Sequence, residues 1–255
     1  MQSTADILSK QAPECRVCGS SITAYIRDIP MRRMKRSAPL YYCLECESFA
    51  HPHIYSEPPE QQEKDANWHI GVEDRNTGWA NKFFDEAVKV RPINSVLEIG
   101  CATGTFLSVA KDRRMKVEGF DTNSYAASVA KERHHIDVNT ELWDRNTITE
   151  KFDLLCSISV LEHLTEPRAH MEEIASYCRK HGASAYIVVP FVTERNNFHH
   201  IMEPKPEPPK NPFYLVDVHI NHFSRKGFER LAKEAGASEL YQFNHGWHGY
   251  WMEFQ

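Results

Sequence analysis

The feature that most constrains the fold is an alternation of short apolar runs with segments of helical periodicity. Apolar runs occupy residues 95–99, 116–120, 152–157 and 184–189, and apolar residues with helical spacing lie between them. Strands that alternate with helices of this length form a parallel sheet that helices cover on both faces. The sequence therefore predicts a doubly wound α/β domain.

A glycine turn follows the first apolar run. Gly100 and Gly104 frame this turn, and helical periodicity begins directly after it. In a doubly wound sheet, ligands bind at the carboxyl ends of the strands, where glycine lets the backbone approach a ligand closely. The turn lacks the third glycine of a dinucleotide fingerprint, and no Gly-Lys-Ser/Thr follows to make a phosphate-binding loop. The sequence excludes both of these nucleotide-binding motifs.

Two acidic residues flank the turn. Glu98 lies within the first apolar run, and Asp121 directly follows the second. A carboxylate at the end of the second strand can accept hydrogen bonds from both ribose hydroxyls of a nucleoside. Glu98 is placed to order the turn and to attract a cationic amino group. The pattern indicates a cofactor that contains a nucleoside.

Two identical cysteine pairs precede this region. Cys15 and Cys18 form one pair, and Cys43 and Cys46 form the other, each with two intervening residues. Two such turns can supply four thiolates to one tetrahedral Zn²⁺ ion. Disulfides are the alternative, which a reducing compartment disfavours. We expect a structural zinc, because four sulfurs leave no coordination position for water or substrate.

The sequence also predicts two domains and one insertion. Residues 11–60 are expected to form a small zinc-ribbon-like module with a polar linker, and residues 61–255 the α/β domain. Five prolines within residues 203–212 predict an insertion at about residues 199–218. The aromatic stretch at residues 241–251 suits sugar stacking, but a final strand with a packed tail is the preferred interpretation.

The charge balance and the lengths of the apolar runs indicate which classes of partner this chain can have. The chain has 30 Lys and Arg residues against 35 Asp and Glu residues, a net charge of −5. Proteins that coat nucleic acids need a clear surplus of basic residues, so nucleic acid is not an expected partner. No apolar run approaches the roughly 18 residues of a membrane span, and the first ten residues do not resemble a signal peptide. We expect a cytoplasmic protein that does not insert into membranes.

Three blocks of the sequence resemble class I S-adenosylmethionine (SAM)-dependent methyltransferases. They are residues 96–104 with the glycine turn, residues 119–121, and residues 152–164, in the order typical of that family. The resemblance covers roughly residues 75–245 and departs from the commonest motif at Ala102, where glycine is frequent. It implies a Rossmann-like, mostly parallel seven-stranded sheet and SAM as the cofactor. A four-cysteine module ahead of such a domain resembles a subset that acts on sugars, polysaccharides or small metabolites.

The resemblance implies a set of cofactor-binding residues. It places residues 100–104 at the methionine part of SAM, Asp121 at the ribose, Thr122 or Asn123 at the adenine, and Ser159 near the sulfonium. The full expected set is Glu98, Gly100, Cys101, Ala102, Thr103, Gly104, Asp121, Thr122, Asn123 and Ser159.

Candidate catalytic residues follow the fourth strand. Methyl transfer is an in-line displacement, so an enzyme mainly aligns the acceptor and excludes water, but a hydroxyl or carbon acid must also lose a proton. His163 is the first candidate base, with Glu162 as an orienting carboxylate or an acceptor of a substrate hydrogen bond. His219 and His222 are alternatives. The histidines lack a spacing such as H-E-x-x-H, so we do not expect a catalytic metal.

The sequence thus predicts a SAM-dependent methyltransferase that modifies an oxygen or carbon of a small polar acceptor, with a sugar as the preferred class. One alternative is a nucleic-acid-associated zinc-ribbon protein, in which the basic residues 32–36 dock RNA or DNA. Its α/β domain would then modify the nucleic acid or have no catalytic role. Another alternative is a scaffold that keeps the fold without turnover. A solvated hairpin tip is the preferred interpretation of the basic residues.

Overall fold

The computed structural model describes residues 13–31, 36–51, 59–146, 148, 150–192, 218–244 and 248–254. The strands are β1 (Thr23–Met31), β2 (Arg36–Cys43), β3 (Phe49–Ala50), β4 (Ser95–Ile99), β5 (Lys116–Phe120), β6 (Val138–Asn139), β7 (Leu154–Ile158), β8 (Ser184–Val188), β9 (Asn221–His222), β10 (Ala237–Asn244) and β11 (His248–Phe254). The helices are α1 (Pro59–Gly71), α2 (Glu73–Val90), α3 (Thr105–Asp112), α4 (Ser124–His134), α5 (Pro167–His181) and α6 (Arg225–Glu234).

These elements divide between two compact units. The first, here called the cysteine unit, comprises Met1–Tyr55, Leu161–Met171 and Val189–Ala235. The second, here called the sheet unit, comprises Ser56–Val160, Glu172–Val188 and Gly236–Gln255. The compact unit that holds the cysteines therefore combines three stretches of the chain. Most of the expected insertion at residues 199–218, and the basic residues 32–35, lie outside the described residues.

The sheet unit contains seven strands in the order β10-β11-β8-β7-β4-β5-β6. Strands β4 to β8 pair in parallel, and β11 pairs antiparallel with both β8 and β10. The chain runs outward from β4 through β5 to β6 and then returns to β7 on the other side of β4. The predicted Rossmann-like, doubly wound, mostly parallel seven-stranded sheet is confirmed, and its switch point lies at the carboxyl ends of β4 and β7.

An aromatic core fills the sheet unit. Helix α2 buries Ala80, Phe83, Phe84 and Ala87, which recur at the spacing of one helix face. The Phe83 ring centroid lies 4.1 Å from that of Tyr186 on β8 and 5.6 Å from that of Phe243 on β10. Trp251 on β11 is also fully buried. In residues 241–244 and 248–251, the described part of the aromatic stretch, the structure therefore shows strand residues packed into the core, as expected.

The cysteine unit contains a second sheet, in the order β1-β2-β3-β9. Strands β1 and β2 form an antiparallel hairpin, and β3 pairs antiparallel with β9, so that Phe49 faces His222 and Ala50 faces Asn221. Helix α6 begins where the Ser224 side chain accepts a hydrogen bond of 2.8 Å from the Gly227 N–H. Across the described residues of both units, no helix is long and apolar enough to cross a membrane.

Candidate cofactor turn, cysteine cluster and histidine cluster

The glycine turn lies at the carboxyl end of β4, in the sheet unit. Gly100 and Gly104 have φ angles of +73° and +76°, in the left-handed region that glycine adopts without strain. A Cβ added at Gly100 would overlap Cγ2 of Val160. Gly104 precedes α3 without a side-chain cap, so the first N–H groups of that helix remain available to a ligand. Glycine therefore permits the left-handed backbone of the turn and, at Gly100, leaves room for the side chain of Val160.

Asp121 anchors this turn. Its Oδ2 accepts a hydrogen bond of 2.7 Å from the Ala102 N–H, and its Oδ1 accepts one of 2.8 Å from the Asn123 N–H. Each carboxylate oxygen retains a second lone pair, which can accept a ribose hydroxyl. Burial raises the pKa of Asp121, while the two backbone N–H groups and nearby His69 act in the opposite direction.

Glu98 is buried beneath the turn, with only 3% of the residue exposed. Its Oε2 has no hydrogen-bond partner among the residues that the structure describes. Burial and the charge of Asp121 raise the pKa of Glu98 well above 4.5. A buried carboxylate of this kind is stabilised by a cationic group placed against it. The site therefore fits a cofactor that carries an ammonium group.

The other expected cofactor residues lie around the same edge. Cys101 and Thr103 are buried, and Ala102 has a φ of +46°, the left-handed conformation that glycine adopts easily. Ser159 also has a positive φ, and its N–H donates to the Val188 carbonyl over 2.9 Å.

The two residues expected at the adenine differ in their surroundings. Thr122 is exposed. The Asn123 side chain accepts a hydrogen bond of 2.9 Å from the Ala126 N–H and donates one of 3.0 Å to the Gln62 carbonyl. It therefore caps α4 and attaches α1 to the end of β5. His69, in the last turn of α1, faces the charge of Asp121, and burial lowers its pKa. Sequence reasoning did not single out His69, because nothing local marks a histidine at the end of a polar helix.

The four expected metal ligands converge in the cysteine unit. Cys15, Cys18, Cys43 and Cys46 are all buried, and their sulfur atoms lie within 4.8 Å of one another. The Sγ atoms of Cys15 and Cys46 are 3.6 Å apart, as are those of Cys18 and Cys43. Zn–S bonds of about 2.3 Å give a tetrahedral edge of about 3.8 Å, whereas a disulfide needs about 2.05 Å. All four cysteines are free thiols, so the geometry fits one zinc ion and excludes disulfides.

The two cysteine turns repeat the same hydrogen bonds. Gly19 N–H donates to the Cys15 carbonyl over 2.7 Å, and Glu47 N–H donates to the Cys43 carbonyl over 2.9 Å. Gly19 and Glu47 occupy equivalent positions and have similar φ angles of +71° and +64°. A hydrogen bond from the Cys15 thiol, assisted by Ser48, lowers the pKa of Cys46 to about 5 against the effect of burial.

The candidate catalytic residues gather in the cysteine unit. Glu162 and His163 lie on a 3₁₀ turn, Leu161–His163, and Glu162 is only 1% exposed. His163 Nε2 lies 4.0 Å from Glu162 Oε1, and the His163 and His219 ring centroids are 4.7 Å apart. One ligand atom from each of Glu162, His163 and His219 lies within 4.8 Å of the others.

His222 and Asn221 complete the surroundings of this cluster. Burial, together with nearby His51, lowers the pKa of His222 to about 3, so its imidazole is neutral at physiological pH and a weak base. Asn221 Nδ2 donates to the Leu161 and Leu164 carbonyls over 3.2 and 2.6 Å. Sequence reasoning missed Asn221, whose role becomes visible only when β9 is placed beside the 3₁₀ turn.

A doubly wound sheet with a glycine turn and a carboxylate after the second strand is the arrangement of nucleoside-binding α/β domains. A family described as "methyltransferase domain" matches residues 68–241, which is more than half of the chain. The chain therefore belongs to the methyltransferase domain family. No curated protein matches it.

Several solved structures share the fold. Human N-acetylserotonin methyltransferase in complex with SAM is 16% identical, with a TM-score of 0.57 over 77% of this chain and 56% of that one. Plantazolicin methyltransferase BpumL in complex with SAH is 14% identical, with a TM-score of 0.55 over 78% and 92%. A putative O-methyltransferase from Nostoc punctiforme is 13% identical, with a TM-score of 0.54 over 75% and 59%. This chain spans little more than half the length of the first and third of these proteins.

Proposed function

We propose that this protein transfers a methyl group from SAM to an oxygen or carbon of a small polar acceptor, with sugars as the first class to test. The observation that carries the proposal is the arrangement of Glu98 and Asp121 about the glycine turn. One buried carboxylate lies beneath the turn, and the other holds the Ala102 N–H. When bound, SAM supplies a methyl group attached to a sulfonium sulfur, which is a good leaving group because it departs as a neutral thioether.

The residues of the turn bind and orient this cofactor. Glu98 accepts the cationic amino group, and Asp121 accepts the ribose hydroxyls through its remaining lone pairs. Gly100 and Gly104 give the turn the left-handed backbone that curves it around the cofactor. The relatives support this proposal, since the human and plantazolicin enzymes are described in complex with SAM and SAH.

We propose that His163 or His219, whose rings contact each other, takes the acceptor's proton. His163 Nδ1 contacts the Val218 carbonyl over 3.0 Å, and a carbonyl can only accept, so the proton of a neutral imidazole lies on Nδ1. Nε2 then carries the lone pair and lies on the side of Glu162. His163 is accordingly the first candidate base and His219 the second, whereas the low pKa of His222 makes it the weakest.

We further propose that Cys15, Cys18, Cys43 and Cys46 bind a structural zinc. The support is the sulfur spacing and the burial of all four residues. Four sulfurs close the coordination shell, so this ion contributes folding free energy to the cysteine unit and no catalytic position.

Calorimetric titration of the zinc-loaded protein with SAM, with NAD as the control ligand, tests the cofactor. We expect micromolar binding of SAM, about −8 kcal/mol, and none of NAD. A panel of free and nucleotide-linked sugars, assayed for release of SAH, then tests the acceptor class. Binding of NAD in place of SAM, or of neither, would overturn the proposal.

A further inference from the structure

The geometry points to a second metal site, in which Glu162, His163 and His219 bind a divalent first-row transition metal ion. The three side chains each offer one ligand atom, and these atoms lie within 4.8 Å of one another. All three residues belong to the cysteine unit, but none of them belongs to the four-cysteine cluster. The spacing in the sequence does not predict this site, because His219 lies 56 residues after His163.

The backbone around the three ligands is fixed by hydrogen bonds. Ile220 N–H donates to the Glu162 carbonyl over 2.9 Å, which attaches the residue after His219 directly to the 3₁₀ turn. Asn221 Nδ2 donates to the Leu161 carbonyl of the same turn and to the carbonyl of Leu164, directly after it. The three side chains therefore project from two segments that are held in register, as a preorganised metal site requires.

The hydrogen bond of His163 is the one that a metal ligand makes. Histidines that bind a metal through one ring nitrogen usually donate the other N–H to a backbone carbonyl or a carboxylate. His163 Nδ1 donates in this way to the Val218 carbonyl over 3.0 Å. Its Nε2 lies 4.0 Å from Glu162 Oε1, and two ligand atoms with bonds of about 2.1 Å to one ion lie up to about 4.2 Å apart.

The donor set indicates the class of metal. Two imidazole nitrogens and one carboxylate suit Zn²⁺, Mn²⁺ or Fe²⁺, while the four thiolates of the cysteine cluster select zinc. A cation also stabilises the carboxylate of Glu162, which is only 1% exposed. Within the part of the chain that the structure describes, this group supplies three ligands, and an ion held by three protein ligands keeps positions for a substrate, as catalytic sites do.

The chemistry of this ion rests on the proposed function. An acceptor with a hydroxyl, or with two neighbouring hydroxyls, binds at the open positions, where the ion lowers the pKa of the bound hydroxyl. The O–H bond breaks and its proton passes to solvent. His163 acts here as a ligand, and this role replaces the role of base given to His163 above, because the Nε2 lone pair that binds the ion cannot also take a proton.

Manganese titration followed by electron paramagnetic resonance tests the site without an activity assay. The zinc-loaded protein is used, because Mn²⁺ prefers oxygen and nitrogen ligands and does not displace zinc from four thiolates. We expect one Mn²⁺ per chain. Loss of an outer partner of a metal ligand costs about 10–100-fold in affinity, so His163→Ala and His219→Ala should each weaken binding by at least about 100-fold.

The matched control is His181→Gln on α5, which changes a histidine outside the cluster and should bind Mn²⁺ as the wild type does. Glu162→Gln serves as a further ligand variant if either alanine variant fails to fold, as judged by circular dichroism and zinc content. The inference is overturned if neither Mn²⁺ nor a second equivalent of Zn²⁺ binds, or if the folded ligand variants bind as the wild type does.

Calorimetry with SAM on the same samples separates this inference from the proposed function. SAM binding without metal binding would overturn only the metal site. Metal binding without SAM binding would overturn only the methyltransferase proposal.

Discussion

Asp121 accepts a hydrogen bond from the Ala102 N–H, with 2.7 Å between Oδ2 and the nitrogen. The carboxylate expected to bind ribose is therefore also the group that holds the glycine turn in place. Its other oxygen accepts the Asn123 N–H at the start of α4. One side chain thus connects β5, the turn after β4 and the following helix.

Replacing this carboxylate with an amide should weaken cofactor binding. In Asp121→Asn, one of the two acceptor oxygens becomes an NH₂ group, so a hydrogen bond to a charged acceptor is lost, worth about 1.5–3 kcal/mol. We expect SAM affinity, measured by calorimetry, to fall about 10–100-fold. Asp137→Asn, which changes an exposed aspartate that pairs with Lys131, is the matched control. Unchanged affinity would place the ribose elsewhere.

Glu98→Gln should stabilise the protein while it weakens SAM binding. The folded state holds the Glu98 proton more tightly than the unfolded state, because its pKa is raised above 4.5. Wild-type stability is therefore lost as pH rises above about 4.5, and glutamine removes this loss. We expect a gain of about 1 kcal/mol at pH 7 that disappears below pH 4.5, with SAM affinity about tenfold lower. Urea unfolding at several pH values checks the sign.

Loss of one cysteine ligand should unfold the cysteine unit. Structural zinc supplies about 10–16 kcal/mol, comparable to the whole stability of a typical domain. Cys46→Ser should therefore lose its zinc and the cooperative thermal transition of this unit. Leu44→Ser changes an exposed residue between the ligands Cys43 and Cys46, and it should keep both zinc and the transition. A zinc-free Cys46→Ser protein with wild-type thermal stability would contradict a structural role.

Gly100→Ala should destabilise the turn for two separable reasons. The new Cβ overlaps Cγ2 of Val160, and the φ of +73° is strained for alanine. We expect a loss of about 1–3 kcal/mol and a large loss of SAM affinity. Adding Val160→Ala should restore part of the stability, because it removes the overlap but not the strain. If the double variant were no more stable than Gly100→Ala, backbone strain alone would account for the loss of stability.

Ala102→Gly should have the opposite effect on stability. Ala102 is held at a φ of +46°, which glycine adopts without strain. We expect the variant to be more stable by about 0.5–1 kcal/mol, with SAM affinity within twofold of the wild type, by thermal unfolding and calorimetry. Ala110→Gly, within α3 at ordinary helical φ, is the contrasting control and should lose about 1 kcal/mol.

Local patterns in the sequence predict the sheet unit well. The apolar runs correspond to β4, β5, β7 and β8 within one or two residues at each end. Helix α5 begins at Pro167, a residue type suited to the first helical position, and ends at His181 before Gly182, which has a φ of +63°. These signals are local, because a strand or a helix end depends on a few adjacent residues.

The cysteine unit depends on interactions that no local pattern encodes. The pairing of Phe49 with His222 joins residues far apart in the sequence, and the hydrogen bonds of Asn221 do the same. The cluster of Glu162, His163 and His219 follows from these contacts. The sequence identifies its members as candidate catalytic residues, but only the folded chain brings their ligand atoms together.

The pairing of β3 with β9 also sets an order of events during synthesis. The hairpin β1–β2, β3 and all four cysteines leave the ribosome before the strand that completes their sheet, which begins at Asn221. At about 5–20 residues per second, residue 222 follows residue 50 by roughly 10–30 s. One edge of β3 lacks its native partner during that interval. Early zinc binding would keep this nascent edge compact until the last strand of its sheet arrives.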